Sequence, residues 1–267
     1  MKHPSLGPVR RRFGPRRARA RRPGPVGLAS AAFLLAACAP PRPPRGISPE
    51  QIFQWSQDHF DRRKYGASVT GFRDFLVRDP LSPLADSAQF MVGESYLRDG
   101  QELLAITEFE RMVQTRPGSE LADDAQFGLC RAQWQLSPKV QLEQEHTRLT
   151  VQECRRLVQF FGGSPWVPRA TEMTREAQNK LAEKAYRVGR YYFKRKLYES
   201  ANIYFERALA EAPDGPIVPE VLRSLYLSYR RVGFDAEAEQ IRRRLLQDFP
   251  DTEAARVLRD RGAPSGA

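Results

Sequence analysis

The chain has 267 residues, 41% of them hydrophobic and 28% charged, the balance of a globular protein long enough for one large or two small cores. Three cysteines exclude a disulfide-rich scaffold, three histidines leave little for metal or acid–base chemistry, and no apolar run reaches the roughly 18 residues of a spanning helix. The formal net charge of +11 is local: residues 1–37 carry nine Lys and Arg and no Asp or Glu, leaving 34 basic against 32 acidic residues. The excess therefore belongs to the N-terminal segment and does not argue for a nucleic-acid partner.

That segment reads as a lipoprotein signal peptide over residues 1–37. An Arg-rich stretch broken by proline leads into residues 26–37, twelve small or apolar residues that match a signal-peptide hydrophobic region and are too short to span a bilayer. The run ends in Leu35, Ala36, Ala37 and Cys38, which resembles the bacterial lipobox. The small residues suit the shallow pockets of a peptidase that binds the chain extended, and the cysteine sulfur accepts the lipid. The expectation is cleavage before Cys38 and acylation there, with no acidic residue after it to favour inner-membrane retention. Arg10, Arg11, Arg12 and Phe13 also look like part of a twin-arginine signal; an Arg-rich leader and a start site placed too early both remain open. Residues 38–47 form a lipidated, Pro-rich tether, extended at about 3 Å per residue.

The remainder repeats. Val92, Gly93, Tyr96, Ala105, Phe109 and Pro117 recur in spacing as Gly189, Tyr192, Ala201, Phe205 and Pro213, with Ala208 on the second helix. Small residues let paired helices approach, aromatic residues fill the gap, and proline ends each unit. The pattern resembles the tetratricopeptide repeat (TPR), and the fold class is all-α, an α-solenoid of about five such helix pairs at 48–81, 82–118, 119–164, 165–215 and 216–251. Ser48, Pro49 and Gln51 form a strong helix start. Unit three is irregular, with a first helix near 120–136, about ten extra residues, and a second helix near 147–161 begun by a capping box at Thr150 and Glu153. Unit four has a long first helix over 169–195. Arg242 stands where unit five should carry Phe. A capping helix from Thr252 to Asp260 and a frayed tail over 261–267 complete the chain.

A lipoprotein with five such units is similar to the BamD (ComL, YfiO) family of outer-membrane assembly lipoproteins. The residues that carry the resemblance are 48–65, 146–166 and 181–201, the last with paired Tyr191 and Tyr192, a basic run, then Leu197 and Tyr198. Where that family has Phe-Pro-x-Ser-Pro-Tyr, this chain has Phe161, Gly162, Gly163, Ser164, Pro165 and Trp166. The resemblance implies a non-catalytic subunit on the periplasmic face of the outer membrane. Its C-terminal units would dock on the barrel-forming (BamA-like) subunit and other assembly lipoproteins, and its N-terminal units would hold unfolded outer-membrane proteins. A lipoprotein adaptor for peptidoglycan, polysaccharide export or division would look similar.

Tyr191, Lys194, Arg195 and Lys196 form a candidate partner-binding patch, with Tyr192 a packing position. Arg242 and Arg243, with Arg244, are a second basic cluster, which a helix cannot turn to one side. Cys130 and Cys154 read as packed thiols in a compartment that also permits a disulfide. His59 and His146 read as structural, and the adjacent Asp123 and Asp124 as a solvated face. No phosphate loop, nucleophile elbow, zinc motif or triad is present in the sequence, so no metal, cofactor or catalytic residue is expected.

Overall fold

A computed structural model describes residues 41–262, in which eleven helices follow one another: α1 (Pro49–Asp61), α2 (Tyr65–Arg78), α3 (Ala85–Arg98), α4 (Glu102–Thr115), α5 (Ala122–Leu136), α6 (Glu145–Phe160), α7 (Val167–Lys194), α8 (Tyr198–Glu211), α9 (Val218–Val232), α10 (Asp235–Asp248) and α11 (Glu253–Gly262). There is no strand among the described residues. Each helix from α1 to α11 packs on the next, and α9 also packs on α11. The all-α TPR solenoid expected from the repeat spacing is what the chain forms.

Local chemistry sets the helix ends. Ser48 Oγ accepts from the Gln51 N–H and Gln51 Oε1 accepts from the Ser48 N–H, a reciprocal cap at the start of α1. The turns that lead into α3, α5 and α7 share one device. Ser82, Ser119 and Ser164 each accept, through Oγ, from the N–H two residues on, at 3.2, 3.3 and 3.2 Å. Their carbonyls take the N–H groups of Ala85, Ala122 and Val167. Pro80, Pro117 and Pro213 stand just past the ends of α2, α4 and α8, where a helix cannot continue.

The core is large side chains seated on small ones. Phe109 of α4 is fully buried and lies between two glycines of flanking helices: a Cβ on Gly93 (α3) or on Gly128 (α5) would come within 2.6 Å of its ring. Gly189 of α7 meets Phe205 of α8 in the same way. Around Phe109 gather Phe72, Phe75, Val92, Tyr96, Met112 and Leu129. Buried carboxylates in the N-terminal half are satisfied across helices. Glu108 accepts from Arg73 at 2.5 Å, Gln89 at 2.7 Å and Arg111 at 2.9 Å, and Glu94 takes both Arg98 and Arg131.

The middle of the chain departs from the sequence expectations at three points. α6 begins at Glu145, and Thr150 lies inside it, its hydroxyl donating to the His146 carbonyl at 2.8 Å rather than capping a start. The work at that end falls to Gln144, whose buried amide donates to the Lys139 and Leu142 carbonyls and accepts from the Thr147 hydroxyl. Cys130 and Cys154 are joined as a disulfide, with Cα atoms 5.0 Å apart, instead of packing as free thiols. The buried faces of α5 and α6 bring them together. Asp124 is half-buried instead of solvated. It accepts from Trp166 Nε1 at 2.8 Å while the indole stacks on Phe127 at 4.7 Å, and burial pushes its carboxyl above the usual range. His59 and His146 are held by Trp55 and Gln133. α11 continues to Gly262, and residues 263–267 lie outside the described residues.

Candidate peptide groove of the C-terminal repeats

α7 has 28 residues, about 42 Å of helix against about 21 Å for the 14-residue α8 that follows it. Its second half places Tyr186, Arg190 and Lys194 at four-residue intervals, hence on one face. Along that face lie two adjoining open cavities of about 480 and 530 Å³ that share Tyr186, Arg190, Lys194 and Ile217, the second of them walled by α9. Phe193, Phe205 and Leu227 give the second cavity an apolar lining. The ring of Tyr186 is buried, and its hydroxyl meets Ser224 Oγ at 3.3 Å.

The charges along this groove do not cancel. Glu183 is paired with Arg187 at 2.5 Å and Glu220 with Arg223 at 2.9 Å. Arg190 lies over the Tyr186 ring at 5.7 Å, and neither it nor Lys194 is in an ion pair among the described residues. The groove therefore offers two free cations above an aromatic and aliphatic floor. That arrangement fits an extended or helical polypeptide segment that pairs a carboxylate with apolar side chains.

Of the residues singled out in the sequence, Tyr191 lines the first cavity and Lys194 lines both. Arg195 turns its guanidinium onto the Tyr191 ring at 3.8 Å. Lys196 sits in the turn beyond α7 and lines a different cavity with Arg231. Tyr192 is half-buried and stacks on Tyr204 at 5.4 Å. Arg242 is paired with Glu239 at 3.1 Å, Arg243 is exposed on α10, and neither lines the groove. Leu35, Ala36, Ala37 and Cys38 lie outside the described residues. Tyr186, Arg190 and Ile217 were missed from the sequence. The four-residue spacing of 186, 190 and 194 was a legible signal, whereas the contribution of Ile217 from a turn two helices away was not.

On its other side α7 holds the extra segment of unit three. Lys180 Nζ donates to the Ser137 hydroxyl at 2.7 Å and lies over the Trp134 ring, and Lys184 Nζ donates to the Gln141 carbonyl at 2.7 Å. Burial lowers the affinity of the Lys180 amine for its proton. In the N-terminal half, Glu50, Phe53, Gln54, Gln57, Asp58 and Leu84 line a further cavity of about 460 Å³. No cluster of three or more metal-ligating side chains occurs among the described residues, and no helix there is long and apolar enough to cross a membrane.

The outer membrane protein assembly factor BamD of Caulobacter vibrioides is 24% identical over 217 residues, covering 80% of this chain and 71% of that protein. The BamD of Neisseria meningitidis serogroup A is 26% identical over 219 residues, 76% of this chain and 80% of its own length. Among solved structures, the TPR domain of P58(IPK) aligns with 88% of this chain and 58% of its own at 15% identity and a TM-score of 0.42. MamA aligns with 74% of this chain and 90% of its own at 14% and 0.35. The family model YfiO, described as outer membrane lipoprotein, matches residues 45–245, from the segment before α1 into α10, and the chain belongs to that family.

Proposed function

We propose that this protein is a lipid-anchored scaffold of outer-membrane β-barrel assembly on the periplasmic face of the outer membrane. It acts by binding polypeptides and carries out no reaction of its own. The observation that carries the reading is the groove between α7 and α9, with Arg190 and Lys194 unpaired over Tyr186, in a chain whose relatives carry the name of assembly factors. In this reading the C-terminal repeats take a segment of the barrel-forming subunit or another assembly lipoprotein. The cavity of α1 at Phe53 and Leu84 serves unfolded outer-membrane proteins. The five units at 48–81, 82–118, 119–164, 165–215 and 216–251 hang from an acylated Cys38 by the tether of residues 38–47.

Radiolabelled palmitate incorporation into the wild type, and its loss in Cys38→Ala, tests the anchor. Depletion tests the process: outer-membrane barrel proteins should fall in abundance. Normal porin levels with a defect in peptidoglycan, polysaccharide export or division would move the protein to another envelope machine.

A further inference from the structure

Each helix packs against the next in sequence, so consecutive helices alternate in direction. The turns that close the helix pairs α1–α2, α3–α4, α7–α8 and α9–α10 therefore share one edge of the stack, and the start of α1 lies on the opposite edge. All four turns contain a residue in the left-handed region: Arg63 (φ 58°), Gly100 (φ 73°), Lys196 (φ 63°) and Gly233 (φ 92°). Glycine adopts this conformation without the clash that a Cβ brings. Two turns use it, and the two that do not put a cation there, flanked by further cations: Arg62 and Lys64 in one, Lys194 and Arg195 in the other. Arg63 and Lys196 are the left-handed non-glycine residues among those described.

These cations are exposed, and among the described residues none of the six, nor Arg231, is in an ion pair. Arg230 is paired with Asp235 at 2.6 Å and contributes no free charge. Lys196 and Arg231 line a cavity of about 350 Å³ with Leu197, Tyr198, Glu199, Ser200 and Val232, so the α7–α8 turn and the end of α9 form one surface. Leu197 and Phe234 start α8 and α10 at the same place in their turns and are 50% and 44% exposed. The acidic residues on this edge include Asp61 beside Arg62, Asp99 and Glu102 at the α3–α4 turn, Glu143 between α5 and α6, Glu199 in this cavity and Glu237 in the first turn of α10, so the cationic excess is local to the α1–α2 and α7–α8 turns.

We infer that this turn edge is a second docking surface, adjoining the α7–α9 groove at Lys194 and otherwise separate from it, and that its partner is an acidic polypeptide segment bearing aliphatic residues. Glycine would adopt the backbone conformation of Arg63 and Lys196 with less strain, so the charge at these two positions comes at a conformational cost. A protein rather than a lipid partner follows from the mixed lining, in which Lys196 and Arg231 stand beside Leu197, Tyr198, Val232 and the acidic Glu199: a polypeptide can face Glu199 with an aliphatic side chain, whereas a uniform anionic headgroup layer cannot avoid it.

The test uses the full-length lipidated protein in nonionic detergent and a fluorescein-labelled peptide of repeating Glu-Glu-Leu, with anisotropy read at low and physiological salt. The wild type should bind, more tightly at low salt. Lys196→Gly with Arg63→Gly should weaken binding about tenfold while the urea midpoint of the fold rises, and Lys196→Arg should retain the affinity. Unchanged affinity in the double glycine variant overturns the inference. So does absence of peptide binding accompanied by a Lys196-dependent preference for phosphatidylglycerol over phosphatidylcholine vesicles, which would make the surface a lipid site. Neither residue lines the groove. Wild type that fails to bind the peptide yet still co-purifies with assembly proteins through Arg190 and Lys194 would sink this inference and leave the functional reading standing.

Discussion

Phe109 gives the packing account its sharpest test. Its ring is fully buried between Gly93 and Gly128, each of which would place a Cβ 2.6 Å from it. Phe109→Ala removes a buried aromatic side chain and should cost about 3–5 kcal/mol, a large share of a domain stability of about 5–15 kcal/mol. Gly128→Ala alone forces a methyl into the ring and should cost about 1–3 kcal/mol, despite the better helix propensity of alanine. In the Phe109→Ala background the same methyl enters the vacated space and alanine's propensity gain of about 0.5–1 kcal/mol reappears, so Gly128→Ala becomes neutral or stabilising. The double-mutant cycle should therefore show a favourable coupling of about 1.5–4 kcal/mol. Urea unfolding followed by helical circular dichroism, with m-values compared across the four proteins, measures it. Additivity within about 0.5 kcal/mol would mean that Gly128 is not small because of Phe109.

Three further outcomes follow from the middle of the chain. Reduction of the Cys130–Cys154 bond, or Cys130→Ser, opens a 24-residue loop and should lower stability by about 3 kcal/mol; equal urea midpoints with and without reductant would contradict it. Asp124 has a carboxyl raised by burial, so the folded state binds more protons than the unfolded one between the two pKa values, and its contribution falls as pH rises through that interval. Asp124→Asn keeps an acceptor for Trp166 and should flatten the stability profile there, with no loss at neutral pH; a steeper profile would refute the assignment. Lys180→Met releases the Ser137 end of the extra segment, and trypsin should then cut after Lys139 faster than in the wild type, with an unchanged rate as the contrary result.

Spacing made the helix pairs legible because the small-residue and aromatic positions are a direct consequence of close packing: Gly93 with Phe109 and Gly189 with Phe205 are seen in the sequence and touch in the structure. The long α7 was legible from the absence of proline between 169 and 195. What was not legible arises from contacts distant in sequence. Thr150 looked like a cap, but Gln144 organises the preceding loop through carbonyls that no pattern announces. Asp124 looked solvated until Trp166, 42 residues on, covered it. Cys130 and Cys154 sit on helices whose mutual rotation decides between thiol and disulfide, and sequence does not fix that rotation. The groove was half-seen through Tyr191 and Lys194; the four-residue spacing that joins Lys194 to Arg190 and Tyr186 was there to be read, while Ile217 enters from a turn two helices away that no local pattern announces.

The claim that the α7–α9 groove works by binding assembly partners is tested most directly by a pull-down of the full-length protein from membranes in mild detergent, with Arg190→Glu and Lys194→Glu introduced together and partners identified by mass. The barrel-forming subunit should accompany the wild type and be lost from the doubly substituted protein while its helical circular dichroism stays the same. Equal recovery of that subunit by both proteins would contradict the account.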